Sequence, residues 1–463
     1  MIRRIDRRNF LKAAVSLPTL VSAPALGRSI SASRWTELGR TWLRESSVAL
    51  ALKSGQLLPL GEEAAPVPEL ADFATLSNRF SDLARHFLFE YYPWYGSEPW
   101  RHWDAASRKP PDDLATHYVP RLGAYDSRDR SIIEKHARWI ASSGVGSISL
   151  SWWGSGSYED QSVHQVLDVM KDHGISVSFG LEPYANDRGA RLASDVLYLM
   201  REYGEKRGWD AFLILRNEDG SESPVFKGFR CILPETIVDC HGSRQAVPDY
   251  TPDAVWRQQI DSLRRELRWD FERVFLLADS LDFGRTPASG FDGVGIYDNF
   301  IPPEHYAPLA RGASAAGLVF SFNINPGYDE ILLRDVPADS CYQPRPFAPT
   351  TFPLDWNRLD DRERAAVLSM GRIRDSLTAT LATQCDLALS NYRRGFFLVY
   401  INSFNEWHEG HVFEPMKDDA ELSGAERTFG YHNPSYGGYR LEALTEGIHA
   451  LVFPPSGEPR GRA

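Results

Sequence analysis

Two acids three residues apart, Glu406 and Glu409, close the apolar run Phe396-Phe397-Leu398-Val399-Tyr400-Ile401 in the stretch YINSFNEWHEG (400–410). Asn405, Trp407 and His408 share that stretch. Two neighbouring carboxylates push each other's pKa values apart, so one can stay protonated near neutral pH while the other is charged. Glycoside hydrolysis needs that division: an acid on the leaving oxygen and a second carboxylate as nucleophile or base. An isolated E-x-x-E is more often a pair of loop acids facing arginines. These two instead end an apolar strand and are wrapped in Trp, His and Asn, which favours chemistry.

Other predicted strand ends carry a similar mixture. The first gives Tyr91, Tyr92, Trp94, Tyr95, His102 and Trp103; the second gives Trp152 and Trp153; the third gives Glu182 and Tyr184. Asp279, Tyr297, Asp298, Asn299, Asn323, Asn325 and Tyr328 follow at later ends. Aromatic faces stack on the C–H faces of sugars, and carboxylates and amides bond sugar hydroxyls. Any one of these aromatics alone would read as packing. Glu182 reads either as a partner for a sugar hydroxyl or as a counter-charge for Arg188. No phosphate cradle and no H-x-H or HExxH spacing is present, so the expectation is a site without metal or cofactor.

The elements that must position these groups alternate. Strand-like runs lie at 87–92, 147–153, 175–181, 225–232, 274–279, 291–298, 317–324 and 396–404. Helical periodicity falls at 128–142, 163–173, 188–203, 252–271 and 362–388, with apolar residues three and four apart. Continuous apolar runs point to parallel strands buried on both faces. Eight such units predict a (β/α)8 barrel, whose chemistry sits at the C-terminal strand ends. A doubly wound open sheet is the alternative, but YYPWYG after the first strand is not a Gly-rich phosphate loop.

With the motifs YYPWYG (91–96), SLSWW (149–153), LEPY (181–184), ASGFDG (288–293), PGY (326–328) and SFNEWHEG (403–410), the chain resembles glycoside hydrolase family 99, the endo-α-1,2-mannosidases and endo-α-1,2-mannanases. The similarity runs in order over roughly 86–415. It implies a (β/α)8 barrel and metal-free hydrolysis with retention through a 1,2-anhydro sugar. Glu406 would then be the base toward the sugar 2-hydroxyl and Glu409 the acid and later the base. Trp152 and Tyr297 would shape sugar subsites beside Tyr92, Trp94, Tyr95, His102, Glu182, Tyr184, Asn405, Trp407 and His408. Two departures stand out: Gly180-Leu181-Glu182-Pro183-Tyr184 replaces a His-Ile-Glu-Pro-Tyr pattern, and Gly295 stands where the family carries a further tyrosine. Alternatives kept open are another α-glycan or exopolysaccharide as substrate (as in the related family 71), and a carbohydrate-binding barrel without catalysis.

Bulk properties agree with a glycan partner. The 463 residues carry a net charge of −11, which disfavours nucleic acid and anionic membrane surfaces. Residues 1–27, with Arg7-Arg8 and Phe10-Leu11-Lys12 before an apolar run, read as a twin-arginine export signal. Its removal takes away five basic residues and one acid, leaving −15, and implies a bacterial periplasm or beyond. Beyond the signal, no run approaches the length of a membrane span. Residues 28–85 then form a helical extension (a helix over 34–50) and loop, 86–425 the barrel and 426–463 a C-terminal segment. Four cysteines, Cys231, Cys240, Cys341 and Cys385, lack metal spacing; Cys231 and Cys240 could bridge, or all four could be free thiols.

Overall fold

Side chains alternate across a strand, and here that alternation decides what fills the middle of the molecule. The structure, a computed structural model, describes residues 73–238, 242–331, 347–350 and 352–452, all within one compact unit, Pro66–Ala463. The export segment, the helix expected over 34–50, Cys240 and Cys341 lie outside the described residues. Cys231 is a buried free thiol, and Cys385 is half-buried.

Eight strand positions make the sheet: β1 Phe87–Tyr91, β2 Ser147–Trp152, β3 Ser176–Leu181, β4 Glu222–Gly228, β5 Phe275–Ala278, β6 Gly293–Gly295, β7 in two pieces, Val319–Ser321 and Asn323–Ile324, and β8 Val399–Ile401. Each pairs in parallel with the next in chain order. The second piece of β7 pairs with β8, Asn323 beside Tyr400, and β8 pairs with β1, Val399 beside Phe87. The ring is therefore closed as an (β/α)8 barrel, and the open-sheet alternative is set aside. A short strand, Ile214–Arg216, adds antiparallel to the start of β4 across the turn at Asp219-Gly220.

Helices α1 Arg130–Ser142, α2 Tyr158–Asp172, α3 Arg188–Leu199, α4 Asp253–Leu267, α5 Tyr306–Ala315, α6 Leu359–Cys385 and α7 Tyr439–Val452 accompany the strands. Only one helical turn, Arg285–Ala288, separates β5 from β6. The helix α2 begins five residues before the expected 163. Ser157 accepts a hydrogen bond from the Asp160 N–H and so caps it, and Glu159 and Asp160 sit in its first turn. Apolar periodicity cannot see this start, because its first turn is acidic.

Leu88, Val225, Phe275, Leu277, Val319 and Leu398 share one fully buried cluster. Each such side chain contributes about 1.5–3 kcal/mol on burial. Along β2 the alternation is small against large: Ser149 and Ser151 border an interior cavity, whereas Trp152 meets the helix layer. The two serines, with Gly180 on β3, leave the barrel hollow at its C-terminal end.

The chain after β7 folds back on itself. Tyr328 and Ala348 form an antiparallel bridge with bonds of 3.2 and 2.9 Å. Just beyond Tyr328, the Asp329 N–H donates to the Glu409 carbonyl (2.9 Å) and the Ile331 N–H to the His408 carbonyl (2.8 Å). The loop after β8 thus rests on the loop after β7.

Candidate active site

A cavity of about 290 Å³ opens at the C-terminal strand ends and is bordered by both Glu406 and Glu409. The loop that presents them is held from several sides. The Asn405 side chain accepts from the Tyr92 N–H (2.8 Å) and donates to the Tyr92 carbonyl (3.0 Å), locking the end of β8 to the end of β1. The Ser403 hydroxyl accepts from the Glu406 N–H (2.8 Å), and the Tyr95 hydroxyl from the Trp407 N–H (3.0 Å). The Trp407 indole is fully buried and donates to Glu414 (3.1 Å). Such a surround holds both acids in fixed positions, as a reacting pair requires.

The two acids have different environments. Glu406 is 2% exposed and accepts from the His408 N–H at 3.1 Å. Burial, and then the facing charge of Glu409, hold its carboxyl well above the usual range. Glu409 is opposed by burial too, but donors outweigh it: His411 Nε2 at 2.8 Å, the Tyr297 hydroxyl at 2.8 Å and the Tyr328 hydroxyl keep its carboxylate below the usual range. The two environments thus favour Glu406 as the holder of a proton shared by the pair. Glu182 also borders the cavity; burial raises it to about 7, although the Ser151 hydroxyl donates to it at 2.9 Å. Arg188 does not bond it: that guanidinium donates to the carbonyls of Leu181 and Arg230.

Of the residues expected from the sequence, Tyr92, Trp94, Glu182, Tyr297, Glu406, His408 and Glu409 line the cavity together. Tyr92 donates to the Tyr297 hydroxyl at 3.4 Å. His102 stands behind Trp94, stacked on it at 4.5 Å, with Nδ1 3.3 Å from His408 Nε2. Burial lowers His102 to about 3, ahead of its like-charged neighbours His408 and Arg101. Tyr95, Asn405 and Trp407 are buried and act on the loop rather than border the cavity.

The expectation for Trp152 and Tyr184 is corrected. Trp152 is fully buried, donates to Asp160 of α2 at 2.7 Å and packs on Tyr184 and Tyr198; the Tyr184 hydroxyl bonds Asp195 of α3. Period-two alternation puts the neighbouring Trp153 on the cavity wall instead.

Sequence reasoning also missed Glu90, Ser149, Ser151, Lys227 and Phe229 on the cavity wall, and His411 behind Glu409. A charged residue inside an otherwise apolar strand was the available signal for Glu90 and Lys227. Burial draws the Lys227 ammonium down to about 8, against the opposing pull of Asp279. Gly180 and Gly295, the two positions that depart from the family pattern, both adjoin this wall.

Among the described residues, His117, Asp329 and His432 have geometry suited to a metal ion. Here they bond one another: His117 Nδ1 lies 2.9 Å and His432 Nδ1 2.7 Å from the two Asp329 oxygens. Burial would raise Asp329, but the two imidazoles hold it well below the usual carboxylate range. The cluster lies behind Glu409 and does not border the cavity.

Comparison with known proteins reaches the same region of the chain. The model of glycosyl hydrolase family 99 matches residues 83–214. A glycoprotein endo-α-1,2-mannosidase of Xenopus laevis is 26% identical over 360 residues, 70% of this chain and 68% of that protein. The protein of the same name in Mus musculus is 24% identical over 382 residues, 74% of this chain and 71% of that one. The GH99 endo-α-mannosidase from Bacteroides thetaiotaomicron superposes with TM-scores of 0.55 and 0.54 at 21% identity, over 79% of this chain and 97% of that one, and bears on the fold. From its strand-end motifs through its barrel to these matches, the chain is similar to glycosyl hydrolase family 99 over residues 83–214 and to endo-α-1,2-mannosidases along most of its length.

Proposed function

We propose that this chain is an exported endo-acting hydrolase of α-mannosidic linkages, acting with retention. The observation that carries this reading is the meeting of Glu406 and Glu409 in one cavity at the strand ends, with aromatic walls from Trp94, Trp153 and Tyr297. Relatives named endo-α-1,2-mannosidases supply the sugar and linkage. Export rests on the twin-arginine segment of residues 1–27.

In the first step Glu406 takes the proton of the sugar 2-hydroxyl as O2 attacks C1, and Glu409 protonates the departing oxygen. In the second, Glu409 deprotonates water as it opens the 1,2-anhydro ring at C1, and O2 recovers its proton from Glu406. Two inversions give net retention. Mannose suits this route because its O2 stands trans to an α-linked aglycone, in line with the bond that breaks; in glucose it does not. The resting proton on Glu406 must pass to Glu409 first. A sugar hydroxyl donating to Glu406 favours its charged form and so drives that shift.

The test is incubation of the chain lacking residues 1–27 with an α-1,2-linked manno-oligosaccharide, following new reducing ends and their anomeric form by NMR. The wild type releases α-anomers first. Glu409→Gln keeps its melting temperature and loses about 10³-fold or more in kcat/KM. Release of β-anomers, or turnover surviving in Glu409→Gln, overturns the proposal.

A further inference from the structure

Inside the barrel, β1 and β4 each present one charged side chain, Glu90 and Lys227, which pair directly across the interior. Both border the cavity that holds Glu406 and Glu409, and they are only 5% and 4% exposed. A buried ion pair is weak evidence for stability, because desolvation offsets its attraction. Something other than folding should therefore explain it.

The surroundings are shaped for the lysine. Its ammonium lies 4.4 Å from the Tyr400 ring and 5.6 Å from that of Tyr297, the hydroxyl donor to Glu409. On the other flank, a Cβ at Gly295 would lie 2.8 Å from Lys227 Cδ, so only glycine leaves room for the stem. The pair is also incomplete. Glu90 Oε1 takes the lysine, but Glu90 Oε2 is buried and accepts no hydrogen bond among the described residues. An ammonium carries three donors, so Lys227 has more to offer than the one it gives Glu90.

An unfilled carboxylate acceptor beside a spare ammonium donor matches two neighbouring hydroxyls: one donates to Glu90, the next accepts from Lys227. Charge narrows the choice further. Glu90, Glu182, Glu330, Glu406 and Glu409 border the cavity with one lysine, and even with Glu406 protonated the acids outnumber it, which disfavours uronic or sulfated sugars. We infer that Glu90 and Lys227 form a hydroxyl-reading floor that selects a neutral sugar with two adjacent free hydroxyls for the subsite beside Glu406 and Glu409. The inference rests on the glycosidase reading above and names the sugar feature that site requires.

The test measures binding without turnover, in the Glu409→Gln chain, by calorimetry at millimolar sugar. The probes are methyl α-mannoside, its 3-, 4- and 6-deoxy analogues, and methyl α-glucoside and α-galactoside with the same deletions. One deletion should weaken binding about tenfold or more. That penalty should vanish when Glu90→Gln or Lys227→Met is added. In the turnover-competent chain, the same substitutions should raise KM more than they lower kcat. Should Lys227→Met fail to fold, Glu90→Gln/Lys227→Met leaves no unpaired charge and carries the test. Floor-dependent penalties seen with a glucoside or galactoside but not a mannoside would sink the mannose reading and keep the floor. Analogue affinities unchanged within twofold by either substitution, or binding of none of the three hexosides, would overturn the inference.

Discussion

Removing the Tyr297 hydroxyl should reveal where the resting proton sits. Tyr297 donates to Glu409 at 2.8 Å, and a hydrogen bond to a charged group contributes about 1.5–3 kcal/mol. At 1.36 kcal/mol per pKa unit this is about one to two units. The Glu409 side chain keeps 29% exposure, so solvent screening favours the lower end, about one unit. The sign follows from the two titration steps of the pair. With the resting proton on Glu406, the acid limb of kcat/KM is protonation of the charged Glu409, and the alkaline limb is loss of the Glu406 proton. Glu409 is charged on both sides of the second step, so Tyr297→Phe leaves the alkaline limb in place. It destabilises charged Glu409 against its protonated form, so the acid limb moves up by about one unit. With the resting proton on Glu409 the pattern reverses, and the alkaline limb moves. The assay is the pH dependence of kcat/KM for both proteins on one manno-oligosaccharide, between pH 4 and 9. A shifted alkaline limb with a fixed acid limb would refute the ordering of the two acids.

The tryptophan pair separates wall from core. Trp152→Phe should lower stability by about 1–3 kcal/mol, through the lost Asp160 bond and a small void, with kcat/KM within about threefold of wild type. Trp153→Ala should raise KM about tenfold or more at little cost in melting temperature; the opposite pattern in thermal unfolding and kinetics would contradict the assigned faces. Asp329→Asn replaces one of two acceptor oxygens with a donor that meets an imidazole N–H. It should cost about 2–3 kcal/mol and a few degrees of melting temperature, and an unchanged melting curve would show that the cluster does not hold the loop.

Much of this architecture was legible in the chain, for a specific reason. Parallel barrel strands are buried on both faces and end in loops, so Phe396 to Ile401 followed by SFNEWHEG marks both an element and the edge of a site. The register of single side chains was less legible. Trp152 and Trp153 are equivalent in composition, and only the pleat, fixed by Ser149 and Ser151 facing inward, separates them. Glu90 and Lys227 were overlooked because each sits within an apolar strand and its partner lies on another strand, 137 positions away. His411 follows the SFNEWHEG motif directly, yet only the fold turns its imidazole back onto Glu409.

The bridge between Tyr328 and Ala348 bears on how this site can change over generations. It brings the two ends of an excursion together, just where Asp329 and Ile331 begin to support the Glu409 loop. Once both ends are pinned, doubling the length between them adds only about 0.6 kcal/mol of closure cost. Insertions and deletions beyond Ile331 can therefore accumulate while the acids keep their positions.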